Sequence, residues 1–113
     1  MTEIRYVRQE DHAFWFRLDA HLSHTEFEKK VLEQRGYVML EEGKPVALLR
    51  YNLFWDSIPF CNLLFVEPEH QRKGHGRRLM EWWEADMRAQ GWSMTLTSTR
   101  ADEEAQHFYR KLG

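Results

Sequence analysis

The apolar run from Phe60 to Val66 is the feature that most constrains how this chain folds. The run is nearly continuous, so it lacks the alternation of apolar and polar residues that marks a strand with one wet face. It is also too short to cross a bilayer as a helix. Glu67-Pro68-Glu69 marks its end. We therefore predict a strand that is buried on both faces of a sheet.

A strand and two helices are predicted before this run. Ile4–Val7 alternates and indicates the first strand, and Glu10–Leu22 indicates the first helix. Ser23 is placed to cap a second helix, because Glu26 follows at the spacing of a capping box. Gly36 is expected to end that helix. The side chains expected to face the core are Phe14, Leu18, His21 and Leu22 on the first helix and Phe27, Val31 and Leu32 on the second.

The later elements complete a mixed α/β (α+β) domain. A hairpin is predicted at the turn residues Glu42-Gly43-Lys44, and an amphipathic helix follows Gly74 and ends at Gly91. A strand rich in β-branched residues and a last helix come after it. The remaining predicted elements are the strands Tyr37–Glu41, Pro45–Phe54 and Ser93–Thr99 and the helix Glu103–Leu112.

Composition narrows the function classes. The 113 residues suit one domain, spanning 1–113, and the formal net charge of -2 gives no basic surplus for nucleic acid or an anionic membrane. The single cysteine, Cys61, excludes an internal disulfide and fits a reducing, cytoplasmic setting. The N-terminus lacks a signal-peptide pattern. The six histidines show no metal-ligand spacing, so we predict no metal site.

The loop Gln71-Arg72-Lys73-Gly74-His75-Gly76 joins the buried strand to the amphipathic helix. A helix start offers unpaired N–H groups and partial positive charge, and glycine lets a phosphate approach the backbone closely. Arg72, Lys73, Arg77 and Arg78 add positive charge. A G-x-G alone is a weak signal, and the alternative is a glycine turn with basic residues at a solvated helix start. The P-loop pattern is absent.

Two segments together resemble one family. The run from Val66 to Met80 resembles the acetyl-CoA signature of the GNAT N-acetyltransferase superfamily, and the run from Ala105 to Gly113 resembles its late helix. The resemblance covers essentially the whole chain. It implies a mixed, mostly antiparallel sheet flanked by helices. It also implies an enzyme that transfers an acetyl group from acetyl-CoA to a primary amine by direct nucleophilic attack, without a metal.

The resemblance also assigns roles. Backbone N–H groups from Gln71 to Gly76 would hold the CoA pyrophosphate, and the backbone of Phe65 and Val66 would pair with the pantetheine arm. The N–H near Val66 would face the thioester carbonyl. Tyr109 would protonate the departing thiolate. The cofactor-binding residues expected are Phe65, Val66, Gln71, Arg72, Lys73, Gly74, His75, Gly76 and Arg77.

Several side chains have competing interpretations. Tyr109 is either the catalytic acid or a helix residue with its ring in the core. Glu67 is either the general base that deprotonates the attacking amine or a solvated turn residue. Asp19, Glu26 and Asp56 are weaker bases, since nothing places them near the thioester. For other residues we expect His75 to point to solvent, Cys61 to be a buried thiol, Trp83 to be core, and Trp82 to lie at a flank or interface.

The chain departs from the family at its end. It stops at Gly113, so the domain is expected to be C-terminally short, with the last strands of the sheet absent. Two explanations are open: the sequence represents a shortened chain, or a partner subunit, as in a homodimer, covers the exposed edge. The acceptor is a small-molecule or protein amine. A CoA-binding module without catalysis, and an interaction domain without a cofactor, are the other hypotheses.

Overall fold

The computed structural model describes residues 1–92 and 95–97, with backbone only for 96 and 97. Within this part of the chain no helix combines the length and the apolar character that a bilayer-spanning segment requires. The strands are β1 (Thr2–Tyr6), β2 (Gly36–Glu41), β3 (Lys44–Phe54), β4 (Ile58–Val66) and β5 (Leu96–Thr97), and the helices are α1 (His12–Leu18), α2 (His24–Glu33) and α3 (His75–Ala89). A short 3₁₀ helix at Gln9–Asp11 precedes α1, and another at Pro68–His70 precedes the loop that leads into α3.

The strands form one sheet in the order β1-β2-β3-β4-β5. The first four are antiparallel neighbours, and β5 runs parallel to β4. This confirms the predicted mixed, mostly antiparallel sheet. Of the predicted strand Ser93–Thr99, Leu96–Thr97 is described as β5. The predicted helix Glu103–Leu112 lies outside the described residues.

Both faces of the sheet are covered, as the apolar run predicted. One face of β4 carries Leu64 and Val66, which belong to a core cluster with Leu79 and Trp83 of α3. On the other face, Phe65 packs against a second cluster that contains residues of α1 and α2. Burying apolar surface against two layers provides the main driving force for this arrangement.

The first helix is shorter than predicted. It ends at Leu18, and Asp19 already has an extended backbone. The cause is the Asp19 side chain, which is almost fully buried and accepts hydrogen bonds from Trp15 Nε1 at 3.1 Å and Arg50 Nε at 2.7 Å. A buried carboxylate needs such partners, and reaching Arg50 turns the chain away from the helix axis. The prediction that His21 lies on a helical face was therefore wrong, and so was that for Leu22.

The second helix begins as predicted but ends differently. Ser23 caps it, since its Oγ accepts a hydrogen bond from the Glu26 N–H at 3.1 Å. The helix ends at Glu33, and Gln34 takes the left-handed conformation that was expected of Gly36. Gly36 instead begins β2, where a β-carbon would lie 2.9 Å from Val7 Cγ1. Close packing, and not helix termination, therefore requires glycine there.

The buried face of α2 also differs from the prediction. Phe27 is buried, but Leu32 is 84% exposed. Lys30 is buried in its place and donates a hydrogen bond to the Tyr51 carbonyl at 2.6 Å. Burial lowers the pKa of Lys30 to about 8, and the positive charges of Arg50 and Arg35 act in the same direction. The spacing of apolar residues along the helix does not predict the burial of Lys30, because the aliphatic part of its side chain packs while its terminal nitrogen donates to a carbonyl.

We predict that Gly36→Ala lowers the free energy of unfolding by about 1–3 kcal/mol, because overpacking forces Val7 or Trp15 to shift. Urea denaturation of the two proteins measures the difference. Gly76→Ala is the matched control. Its β-carbon would meet Leu64 and Val66 at ordinary contact distances of 3.7 and 3.8 Å, so its stability should be unchanged or slightly higher. Equal stability of Gly36→Ala and the wild type would contradict the packing explanation.

Candidate functional site

The loop between β4 and α3 is held in an unusual backbone conformation. Gly74 caps α3 with a left-handed φ of 81°, and Arg72 is also left-handed, with φ of 65°. A β-carbon on Gly74 would meet nothing within 4 Å, so glycine is needed here for its conformation and leaves open space beside the backbone. The first bond of the helix ladder runs from the Arg78 N–H to the Gly74 carbonyl. The N–H groups of the preceding residues therefore lie outside the helix ladder, which is the feature of helix starts that favours anions.

Gly76 has a different role from Gly74. It lies in the first turn of α3, and its α-carbon faces Leu64 and Val66 of β4. Space remains there for a methyl group but not for a larger side chain without displacing those residues. The two glycines therefore have separate structural roles. Gly74 makes the turn, and Gly76 keeps the helix start close to the end of the buried strand.

The end of β4 presents backbone groups away from its neighbour β3. The Glu67 N–H donates to the Val46 carbonyl at 2.9 Å, so residue 67 faces β3. Because successive residues of a strand point their backbone groups to opposite sides, those of Phe65 face Leu48 on β3 and those of Val66 face outward. The Gln71 side chain confirms this direction, since its Nε2 donates to the outward Val66 carbonyl at 3.0 Å.

A β-bulge lies in the middle of β4. Leu63 pairs with Arg50 and Cys61 pairs with Tyr51, so Asn62 is the extra residue. A bulge bends its strand and interrupts regular pairing, and bulges are common beside active sites. The described pairing of β4 with β5, at Phe60 and Cys61, lies before the bulge, whereas Val66 lies after it. The bulge thus separates the β5-paired end of the strand from the end that adjoins the loop.

Glu67, predicted as either a base or a solvated turn residue, is held by a partner that the sequence did not reveal. Its carboxylate accepts a hydrogen bond from Arg17 on α1, and its side chain is 18% exposed. Arg17 also lies over the ring of Phe14, with 5.5 Å between the guanidinium carbon and the ring centroid. Arginine fixes the carboxylate beside the strand end.

The His75 side chain does not point to solvent, so that prediction was wrong. It is buried, and its Nε2 lies 3.4 Å from Glu41 Oε2 at the end of β2. His70 reaches the same oxygen at 2.7 Å, and Lys73 lies 3.7 Å from the other. Desolvation acts to raise the pKa of Glu41, but hydrogen bonds from His70 and His75 outweigh it and hold that pKa below its usual range. We call these four side chains the Glu41 cluster.

The Glu41 cluster contains donor atoms that could hold a divalent cation, since one atom each of Glu41, His70 and His75 lies within 4.8 Å of the others. Spacing along the sequence did not show this grouping. Lys73 opposes a cation, because its ammonium lies beside the carboxylate. Hydrogen bonds from the two imidazoles and an ion pair with the lysine account for the arrangement without a cation.

The other sequence candidates are accounted for individually. Asp19 is committed to Trp15 and Arg50, and Asp56 lies in the turn between β3 and β4. Glu26 pairs with Lys29 at 3.6 Å on the surface of α2. The expected burial of Cys61 and Trp83 is confirmed, and so is the exposure of Trp82 at 50%. Tyr109 lies outside the described residues.

A helix start with open backbone N–H groups at the end of a buried strand is an arrangement typical of anion-binding sites. Comparison with family models agrees, since residues 4–113 match the model described as the acetyltransferase (GNAT) family. The chain belongs to that family. Its members are acetyl-CoA-dependent N-acetyltransferases, which gives the class of reaction and the co-substrate.

Solved structures show the same fold. N-acetylglutamate synthase from Neisseria gonorrhoeae, in complex with coenzyme A and N-acetyl-glutamate, matches with a TM-score of 0.82 at 18% identity. All of this chain is covered there, but it spans only 28% of that protein. Ard1 from Thermoplasma volcanium matches with a TM-score of 0.81 at 20% identity. The match covers 99% of this chain and 81% of the Ard1 chain.

The ribosomal-protein-S18-alanine N-acetyltransferase from Escherichia coli is similar too. It matches with a TM-score of 0.77 at 23% identity, over 100% of this chain and 77% of its own. At these identities the likeness establishes the fold. A comparison with curated proteins gave no significant match.

Proposed function

We propose that residues 1–113 form one catalytic domain that carries an acetyl group from acetyl-CoA to a primary amine, and that the loop Gln71–Gly76 binds the CoA diphosphate. The left-handed turn at Gly74 is the observation that supports this most strongly. It exposes backbone N–H groups at the start of α3, where the helix dipole favours negative charge. Arg72, Lys73 and Arg77 add positive charge at the same place.

Val66 is proposed to position the acetyl group. Its N–H points away from β3, so it is directed toward a ligand lying along the outer edge of β4 rather than into the sheet ladder. The pantetheine arm carries amides that pair with such an edge like an added strand. The same N–H then stabilises the oxyanion that forms when the amine attacks the thioester. Phe65 contributes the adjoining wall through its half-buried ring.

Proton transfers are assigned to Glu67 and Tyr109. The attacking amine must lose a proton, and the Glu67 carboxylate lies one residue beyond the Val66 N–H, held by Arg17. Tyr109 is proposed to protonate the CoA thiolate as it leaves. No thiol among the described residues is placed for covalent catalysis, because Cys61 is fully buried. Direct attack, with the acetyl carbon passing straight from sulfur to nitrogen, fits this arrangement.

The acceptor is proposed as an amine of a small molecule or a protein. The similar structures include a ribosomal-protein-alanine N-acetyltransferase and a synthase solved with N-acetyl-glutamate, so the fold accommodates both kinds. A cytoplasmic setting is proposed from the single, buried thiol. A homodimer that covers the sheet edge remains a prediction, as does the absence of nucleic-acid, membrane and metal partners.

The reaction itself is tested by following thiol release from acetyl-CoA with a panel of small amines and amine-bearing peptides. We expect amine-dependent release, with at least one acceptor well above the rate of hydrolysis. Coenzyme A should also raise the melting temperature. A raised melting temperature with no turnover on any acceptor would instead support a non-catalytic binding module.

The loop assignment predicts that Gly74→Val weakens binding of coenzyme A about tenfold or more. Valine is strained at a left-handed φ and places carbon atoms beside the N–H groups. Gly91→Val is the matched control, because Gly91 also has a positive φ, of 95°, and nothing within 4 Å, but lies at the far end of α3. Calorimetry should show unchanged affinity for the control. Equal losses in both variants would count against the loop.

Tyr109→Phe should lower kcat about 10- to 100-fold while the Kd for acetyl-CoA changes little, because general acid catalysis acts in the transition state. Steady-state kinetics and calorimetry separate the two effects. Tyr51→Phe serves as a control that removes a buried hydroxyl from β3. Unchanged kcat in Tyr109→Phe would remove this residue from the mechanism.

A further inference from the structure

We propose that Glu41 is a positioning residue for the diphosphate loop. From the end of β2 it holds both flanks of the loop, through His70 and His75, and so keeps the loop in the conformation that receives coenzyme A. This inference rests on the proposed function, since it concerns the same loop. It assigns a role to three side chains that take no part in the acyl transfer described above.

Glu41 contacts residues on both sides of the loop, and so it connects segments that are distant in sequence. We call this connection a tie. Its Oε2 accepts from His70 Nδ1 at 2.7 Å and lies 3.4 Å from His75 Nε2, and its Oε1 lies 3.7 Å from Lys73 Nζ. His70 closes the short 3₁₀ helix before the loop, and His75 opens α3 after it. One carboxylate therefore fixes both ends of a short segment.

The loop needs a tie of this kind. Arg72 and Gly74 both have left-handed backbones, so regular helix or strand bonds do not hold the segment between them. The Gln71 side chain ties one side to the Val66 carbonyl. Glu41 supplies the other side from a strand that is hydrogen-bonded to both β1 and β3, and is therefore rigid. Holding the N–H groups in place before the ligand arrives reduces the entropy lost on binding.

The groups around Glu41 give its carboxylate the partners that hold the loop. Desolvation acts to raise the pKa of Glu41, but hydrogen bonds from His70 and His75 outweigh it, so the carboxylate is ionised at neutral pH. The other facing groups are Lys73 from the loop and Lys44, the register partner on β3, both cationic, and Thr2, the uncharged partner on β1. Removing the carboxylate therefore removes bonds to both flanks of the loop.

Dephospho-CoA is the probe that isolates this effect. It keeps the diphosphate of coenzyme A but lacks the extra phosphate monoester, so its affinity reports on the diphosphate loop. Calorimetry on the intact chain at neutral pH measures that affinity.

Glu41→Gln separates a tie from a simple charge effect, because the two predict opposite signs. Removing a negative charge near an anion site should strengthen binding by electrostatics alone. Loss of the tie should weaken it, and we expect about three- to fivefold weaker binding of dephospho-CoA. Glu42→Gln is the matched control. This substitution removes the same charge from the adjoining residue, which is exposed and pairs with the N-terminal ammonium.

Weaker binding in Glu41→Gln, together with wild-type or tighter binding in Glu42→Gln, would support the inference. Wild-type or tighter binding in Glu41→Gln would overturn it while leaving the proposed function intact. Absence of binding by the wild type would instead overturn the proposed function. His70→Ala, at a partly exposed position, removes one of the two flanking bonds and should also weaken binding, so it gives the answer if Glu41→Gln fails to fold.

Discussion

The junction between β4 and α3 is the constraint on which the rest of the structure depends. A strand buried on both faces ends at Val66, and α3 starts at His75 with its first turn packed back over that strand. Gly74 makes the reversal with a left-handed backbone, and Gly76 allows the close approach. Because the core fixes the strand and the helix separately, the open helix start is held at the strand end without support from a ligand.

Electrostatics then determines what the junction can bind. The loop gathers arginine and lysine side chains around N–H groups that carry partial positive charge, which would repel one another without a counter-charge. Glu41 supplies that counter-charge to Lys73. Glu67, at the end of β4, supplies it to Arg17. The diphosphate that we propose binds here would therefore meet charges and a backbone that are already arranged.

Much of this was predictable from sequence, for identifiable reasons. The strand Phe60–Val66 and the helix after Gly74 were signalled by local apolar patterns, which the core clusters confirm. Local patterns failed where a buried polar side chain found a distant partner, as Asp19 did with Arg50 and Lys30 with the Tyr51 carbonyl. The Glu41 cluster was missed for the same reason. His75 was expected in solvent because its charge partner lies on a strand far earlier in the chain.

The central claim is that the backbone between Gln71 and Gly76 receives the diphosphate of coenzyme A. Titrating isotopically labelled protein with coenzyme A, while recording the backbone amide resonances by NMR, tests it most directly. If the loop binds the diphosphate, the largest shifts fall on the amides of that loop, with a second group at Val66 on the outer edge of β4. Unmoved loop amides, with the shifts gathered elsewhere on the molecule, would contradict it.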